Sequence, residues 1–315
     1  MTGPTLSIVI VNWNTCEVLH ECLTSVFAGF DARCPTEVIV IDNASEDGSP
    51  EMVLSSFPQV HLIRNDENRG FAAANNQGFA VIKGQYVLLL NSDTIIHGKV
   101  LPRSVEWLEV HPEVAAMGCR VLNTDGTVQR TCSMYPSLLN QVLLTTGLWK
   151  LRWPRFLGRS QITHWNRDTE REVEVISGCY MLVRRSIIDE VGLLDEDFFF
   201  FGEETDWCRR MRDAGWRLMF APVGEITHHG GGSVKKLNHR RDLMLSEAII
   251  RLHRKHGGRL AAIATFVIIA IFNASRAMFW SFRSLFSNCD VARERARHFR
   301  AVFFYSLRTW PVESR

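Results

Sequence analysis

The sequence predicts an α/β fold: a mostly parallel central sheet, helices on both of its faces, and a hydrophobic helical appendage at the C-terminus. Three observations carry this. Short β-branched runs alternate with helix-like stretches from Leu6 to Met117. The runs are apolar throughout, as strands covered on both faces are. Beyond residue 239 the alternation gives way to helical stretches that include "LAAIATFVIIAIF". At 315 residues, 46% hydrophobic and 22% charged, the chain can bury a full core. Its net charge of +2 gives no electrostatic case for nucleic acid as a partner, although the stretch from Arg276 onward is basic.

Taken in order, "SIVIV" at 7–11 is the first strand, followed by a helix over 16–29. "EVIVI" at 37–41 and a helix over 49–56 repeat the unit, as do "VHLI" with 71–82 and "YVLLL" with 99–110. "VAAM" at 114–117 adds a fifth strand, and "NTDG" at 123–126 reads as a hairpin turn. Residues 135–170, with Pro, Gly and several Trp, read as an irregular excursion or lid. "EVEVISGCYMLVRR" reads as a strand pair or one long strand, 203–214 as a helix ended by Gly215, and "WRLMFAP" as a strand. A helix over 239–256 is expected to stop at Gly257-Gly258.

The eight cysteines include no C-x-x-C pair, so reduced thiols are expected rather than a zinc site or a disulfide framework. The first apolar run, Leu6 to Val11, is too short for a signal peptide, which predicts a protein on the cytoplasmic side. The thirteen apolar residues at 260–272 fall short of the roughly 20 a spanning helix needs. With Arg276, Arg283, Arg293, Arg295 and Arg297 interleaved beyond them, the expectation is an interfacial helix on the inner membrane surface. An amphipathic helix docked on protein is the alternative.

Open α/β sheets present functional groups at the carboxyl ends of their strands. Here those ends read Asn12-Trp13-Asn14, Asp42-Asn43-Ala44-Ser45, Asn65 to Gly70, and Asn91-Ser92-Asp93. No glycine lies between Gly3 and Gly29, which argues against a dinucleotide fingerprint after the first strand. Asp42 is a candidate for nucleotide hydroxyl or N–H groups, or a turn cap. Asn91 and Asp93 place two oxygen-bearing side chains on one side of an extended chain, suited to a divalent cation or to capping the next helix. The cluster Glu203, Glu204, Asp206 followed by Arg209, Arg210 and Arg212 complements a helix dipole and forms i,i+4 pairs. The phenylalanines at 198–201 favour a carboxylate of raised proton affinity there.

Together, "SIVIVNWN", "VIDNASEDGS", "NRGFAAANNQG", "LLLNSD", "GCYMLVRR", "FFFFGEETDWCRRMRDAGW" and "THHGGGS" resemble the family 2 inverting glycosyltransferases of GT-A fold, particularly their bacterial rhamnosyltransferase-like group, over roughly residues 5–235. The resemblance implies that Asn12 and Asn14 line the nucleotide, that Asp42 with Asn43 contacts the base, and that Asn68 and Gly70 form a loop beneath it. Asn75 stands where many relatives carry a phosphate-contacting Arg. Asn91-Ser92-Asp93 takes the D-x-D position in the form N-x-D, with Asp93 the strongest ligand of a divalent metal (Mg2+ or Mn2+), Asn91 a neutral or outer one, and His228, rather than His229, completing it. Glu204 aligns with the base of an E-D-x-D motif, Glu203 is the alternative base, and Asp206 orients or binds the acceptor. The implied activity moves rhamnose or another deoxyhexose from a nucleotide-diphosphate sugar donor to a glycan or lipid-linked acceptor, in bacterial cell-envelope polysaccharide synthesis. The implied division is a transfer domain at 1–238, whose nucleotide-binding half is 1–118 and acceptor half 119–238, and a membrane-associating region at 239–315. A silent binding module and a nucleotidyltransferase are the competing readings.

Overall fold

A computed structural model of the chain describes residues 3–151, 154–230, 238–286 and 290–307. Two compact units emerge: one of Met1–Ser133, Trp165–Phe199 and Glu203–Gly230, the other of Met134–His164, Phe200–Gly202 and Gly231–Arg315.

The first unit opens with the expected alternation: β1 (Leu6–Asn12), α1 (Cys16–Ala28), β2 (Thr36–Asp42), α2 (Ser49–Ser56), β3 (His61–Arg64), α3 (Phe71–Phe79) and β4 (Tyr86–Asn91). It continues with β5 (Thr94–Ile96), α4 (Val100–Glu109), β6 (Val114–Leu122) and β7 (Cys132–Ser133). The central sheet runs β3-β2-β1-β4 in parallel, and further strands extend it beyond β4. Ile8 and Ile10 of β1 share a core with Leu19, Leu23 and Val26 of α1. On the opposite face Gly78 of α3 lies so close to Val9 and Ile41 that a Cβ there would come within 2.6 Å of Val9. Both faces of β1 are therefore covered, which is why the run reads as continuously apolar; each fully buried aliphatic side chain contributes roughly 1.5–3 kcal/mol.

"EVEVISGCYMLVRR" is neither a pair nor one long strand. It forms three short pieces, β8 (Arg171–Glu172), β9 (Val175–Ile176) and β10 (Tyr180–Arg184). A turn closed by the Tyr180 N–H on the Ser177 carbonyl interrupts it, at a glycine whose added Cβ would sit 3.3 Å from the Phe71 ring. β10 pairs antiparallel with both β4 and β6, while β9 pairs with β7 in a separate two-stranded sheet. After α6 (Arg185–Val191) and α7 (Glu203–Asp213), β11 (Arg217–His228) runs parallel to β6 and antiparallel to β5 and β8. "NTDG" does form a turn, with the Asn123 N–H on the Thr127 carbonyl at 2.7 Å.

The excursion at 135–170 is more regular than its composition suggests. In the second unit it holds the nine-residue α5 (Leu138–Thr146), capped by Ser137 Oγ on the Asn140 N–H and ended by Gly147 in the left-handed region, followed by two 3-10 turns. The stop expected at Gly257-Gly258 is present, inside a span that carries two helical arms. α8 (His239–Phe286) breaks at Gly258, whose φ of 76° is non-helical, and then resumes before α9 (Asp290–Ser306). Ile249 and Ile250 before the break pack against Ala262, Phe266 and Ile269 after it. Gly258 ends the first arm, and the two arms form a hairpin.

Candidate active site

Register assembles the floor of the site. β1 pairs with β2 up to Asn12 opposite Asp42, and with β4 up to Val11 opposite Asn91, so these polar strand ends emerge side by side. Asn12 is fully buried; its Nδ2 donates to Asp42 Oδ1 at 2.8 Å and to Ser45 Oγ at 3.1 Å, and its Oδ1 accepts from Thr15 Oγ1 at 2.5 Å. Its amide is committed to the frame. Asp42 Oδ2 accepts the Ser45 N–H at 2.9 Å, and each carboxylate oxygen keeps a further lone pair for an incoming donor. Asn14, exposed and left-handed at φ 53°, accepts the Glu46 N–H at 2.8 Å. Thr15 Oγ1 also meets Ser92 Oγ at 3.0 Å, which ties the first loop to the fourth strand's end.

A chain of amides builds the adjoining wall. Asn43 Oδ1 accepts from Asn65, while Asn43 Nδ2 donates to Asn68 Oδ1 at 3.3 Å and to the Gly70 carbonyl at 3.2 Å. Asn68 Oδ1 also accepts the Gly70 N–H at 2.9 Å. Gly70 has φ 82°, and a Cβ there would collide with the Phe199 carbonyl, which accepts the Phe71 N–H at 2.9 Å. The start of the phenylalanine run is thus seated on the expected nucleotide loop. Asn75 is buried, with one Nδ2 proton on the Phe71 carbonyl of its own helix at 2.8 Å. The neighbouring Asn76 reaches furthest, bonding both backbone groups of Leu194 and the Glu196 carboxylate.

Asn91, Asp93 and His228 meet at the end of β4. His228 Nε2 lies 3.1 Å from Asp93 Oδ1 and 3.2 Å from Asn91 Nδ2. His229 contributes its backbone N–H to the Asp93 carbonyl, and its ring lies 3.8 Å from Glu21 instead. Sequence reasoning missed Gln129, which clasps His228 twice: Nε2 donates to the His228 carbonyl and Oε1 faces His228 Nδ1, each at 2.9 Å. The carbonyl accepts only, so the amide orientation is fixed and the imidazole proton belongs on Nδ1. Nε2 then accepts from the Asn91 amide and, with Asp93 Oδ1 beside it, presents a lone pair suited to a cation. Donors about 3 Å apart match adjacent ligands of an ion with bonds of about 2.1 Å. The donor set therefore fits a hard divalent metal. Among the described residues no cluster of three or more His, Cys, Asp or Glu side chains is arranged to hold one.

The acidic cluster separates into two roles. Asp206 is fully buried and ion-paired to Arg210 at 2.8 Å, and Arg210 also donates to the Val191 and Leu193 carbonyls at 2.6 Å. With Trp207 Nε1 on the Gly192 carbonyl, this anchors α7 to the 191–193 turn. Arg209 and Asp213 form the second i,i+4 pair at 2.9 Å. Glu203 and Glu204 face inward instead. Burial pushes the Glu204 carboxyl above the ordinary range, opposed by a hydrogen bond from Glu203. Glu204 Oε2 is shielded from solvent and has no hydrogen-bond partner among the described residues. On the Asn91 side, the Cys179 carbonyl accepts the Asn91 N–H. Burial pushes the Cys179 thiol up to about 12, and the charges of Asp93 and Glu204 add to the shift.

The sequence matches the glycosyl transferase family 2 over residues 7–192. It is 26% identical over 239 residues to the N-acetylglucosaminyl-diphospho-decaprenol L-rhamnosyltransferase of Mycobacterium tuberculosis, covering 71% of this chain and 76% of that one. It is 25% identical over 223 residues to the glycosyltransferase AglE of Haloferax volcanii, covering 70% of this chain and 65% of that protein. The fold is similar to that of the Pyrobaculum calidifontis mannosyltransferase PcManGT in complex with GDP-Man and Mn2+, with a TM-score of 0.59 and 16% identity over 98% of this chain and 88% of that one. GalNAc-T7 with UDP, GalNAc and Mn2+ gives a TM-score of 0.53 and 16% identity over 79% of this chain and 50% of that one. At those identities the likeness is one of fold.

Proposed function

The chain belongs to glycosyl transferase family 2, and from that premise we propose an inverting transfer of a deoxyhexose such as rhamnose from a nucleotide-diphosphate donor to a glycan or lipid-linked acceptor. The observation that carries the reaction type is the Glu203 and Glu204 carboxyl pair at the start of α7, each with an oxygen shielded from solvent, in which burial raises the proton affinity of Glu204. In such a transfer an acceptor hydroxyl oxygen bonds to the anomeric carbon as the carbon–oxygen bond to the diphosphate breaks, its electron pair leaving with the phosphate. The hydroxyl proton needs a base, and Glu204 Oε2 receives it. Glu203 holds Glu204 through their shared hydrogen bond, and Asp206 positions the helix through Arg210. Asp42, Asn43, Asn68 and Gly70 cradle the nucleotide, with Asn14 and Ser92 at its edges. Asp93 and His228, with Asn91 beside them, would hold Mg2+ or Mn2+, which when bound neutralises charge on the leaving diphosphate.

The relative from Mycobacterium tuberculosis, named for transfer of L-rhamnose to a diphospho-decaprenol acceptor, supports the sugar and the lipid-linked acceptor. Residues 1–238 serve as the transfer domain, with 119–238 its acceptor half. Residues 239–315 associate with the cytoplasmic side of the bacterial membrane, a reading supported by α8, a helix long and apolar enough to meet a membrane. The test is nucleoside diphosphate release from a panel of nucleotide sugars, with and without divalent metal. Release from a deoxyhexose donor, dependent on metal and acceptor, is expected. Donor binding without release would leave only a binding module, and release of pyrophosphate would indicate nucleotidyl transfer.

Gln129 supplies a separate check. Replacing it by Leu removes the acceptor that keeps the His228 proton on Nδ1 and is expected to weaken Mn2+ binding about 10–100-fold. Titration calorimetry with nucleoside diphosphate present measures this. Gln129→Glu, which keeps an acceptor at Nδ1, is expected to retain most of the affinity.

A further inference from the structure

The second arm of α8, residues 259–286, is apolar on both sides. One face packs inward through Ala262, Thr265, Ile269, Asn273 and Ala277. The other presents Leu260, Val267, Ile271, Met278, Phe282 and Leu285, at helical spacing and each 44–82% exposed. A helix of this length and composition can either cross a bilayer or lie on it.

Its neighbours within the second unit decide between the two. Ile249 and Ile250 of the first arm pack on Ala262, Phe266 and Ile269, so the charged residues of that arm, Arg251 and Arg254 among them, run alongside the apolar segment. α9 packs there too: the Phe299 ring meets Phe272 at 6.3 Å, Arg295 stacks over Trp280 at 4.6 Å, and His298 bonds Asp242 of the first arm at 3.0 Å. Arg297 and Arg300 flank that level and are exposed. A crossing by the second arm would carry these guanidiniums and the Asp242 carboxylate to hydrocarbon depth, where charge is costly and rare. Arg259 and Arg276 also bracket only sixteen residues, about 24 Å of helix, against a hydrocarbon core of about 30 Å.

We propose that the second arm of α8, with α9 packed beside it, lies in the plane of an anionic bilayer, with the Leu260, Val267, Ile271, Met278, Phe282 and Leu285 face sunk at the headgroup boundary and the arginines contacting lipid phosphates. Between 259 and 307 there are seven arginines and two acidic residues, a balance that attracts anionic lipid and repels a second copy of the same face. The inference rests on the membrane part of the reading above. Its assay contains neither donor nor acceptor, so its failure leaves the transfer reaction standing.

The experiment is cosedimentation of the full chain with phosphatidylcholine vesicles and with vesicles that also contain phosphatidylglycerol. Binding is expected to the anionic vesicles, to fall with salt, and to be released by alkaline carbonate. Ile271→Asp with Phe282→Asp is expected to weaken it by at least about tenfold. Arg297→Gln with Arg300→Gln, changes at exposed positions, is expected to cost about fivefold per arginine on anionic vesicles and little on neutral ones. Circular dichroism confirms that each variant is folded. Carbonate-resistant binding would show a crossing helix and overturn the proposal. So would equal binding to both vesicles, or a dimer in sedimentation velocity that Ile271→Asp dissociates.

Discussion

Glu204→Gln is expected to lower kcat by about 10²–10⁴-fold while leaving donor affinity near that of the parent, and to raise thermal stability at neutral pH. Both effects come from one group. Burial disfavours the ionised carboxylate, so its proton affinity in the folded chain is raised above the ordinary value of 4.5. The folded state then binds more protons than the unfolded state between the two values. Stability falls as pH rises from the ordinary carboxylate range through the raised one, and above it the penalty is present in full. Gln carries no charge and avoids it. The melting temperature of the variant should exceed the parent's at pH 7 and converge on it in acid. Activity moves the opposite way, because only the ionised form accepts the acceptor's proton. The acid limb of the parent's kcat profile should therefore lie above 4.5. Glu203→Ala tests which carboxylate is the base: it removes the hydrogen bond that favours ionised Glu204, so the acid limb should move to higher pH with activity retained above it. If Glu203→Ala abolishes transfer and Glu204→Gln does not, the roles are reversed.

The first half of the fold was legible because its strands are buried on both faces and its turns are short, so the apolar runs and their polar ends both show in the sequence. The Asn12, Asp42 and Asn91 alignment follows from parallel register alone. What was hidden depends on contacts distant in sequence. Gln129 follows an ordinary hairpin turn, and nothing local marks it as the partner of a histidine 99 residues away. Asn75 and Asn76 look alike in sequence, yet one bonds back within its helix and the other holds Leu194 and Glu196. Two misses did carry local signals: Ser137 and Gly147 frame α5 as cap and stop, and Gly178 marks the break before β10. Gly257-Gly258 is legible as a helix stop, because glycine takes the positive φ that ends a helix; that the next arm folds back is not, since it rests on the packing of Ile250 against Ala262 and Ile269.

Asp93→Ala is expected to reduce transfer by about 10³-fold, and chelation of divalent metal to do the same to the parent. The N-x-D triplet supplies few charges. Asn91 is neutral, so Asp93 provides the sole carboxylate of the N-x-D triplet, and His228 beside it, with Nδ1 facing Gln129, has only Nε2 to offer an ion. An ion held by one carboxylate and one imidazole would draw further ligands from the donor's phosphate oxygens. Metal and nucleotide should accordingly bind with positive coupling: Mn2+ alone should raise the melting temperature little, nucleoside diphosphate alone little, and both together clearly more. Asn91→Asp adds the missing carboxylate and should tighten Mn2+ binding in the absence of nucleotide, reducing that coupling. Asp93→Ala should abolish the joint stabilisation while leaving the melting temperature of the unliganded chain close to the parent's, since Asp93 lies at a strand end rather than in the core. Undiminished transfer in chelator would remove the metal from the reaction and leave the Asp93 and His228 contact as an ion pair in which a proton occupies the position assigned to the cation.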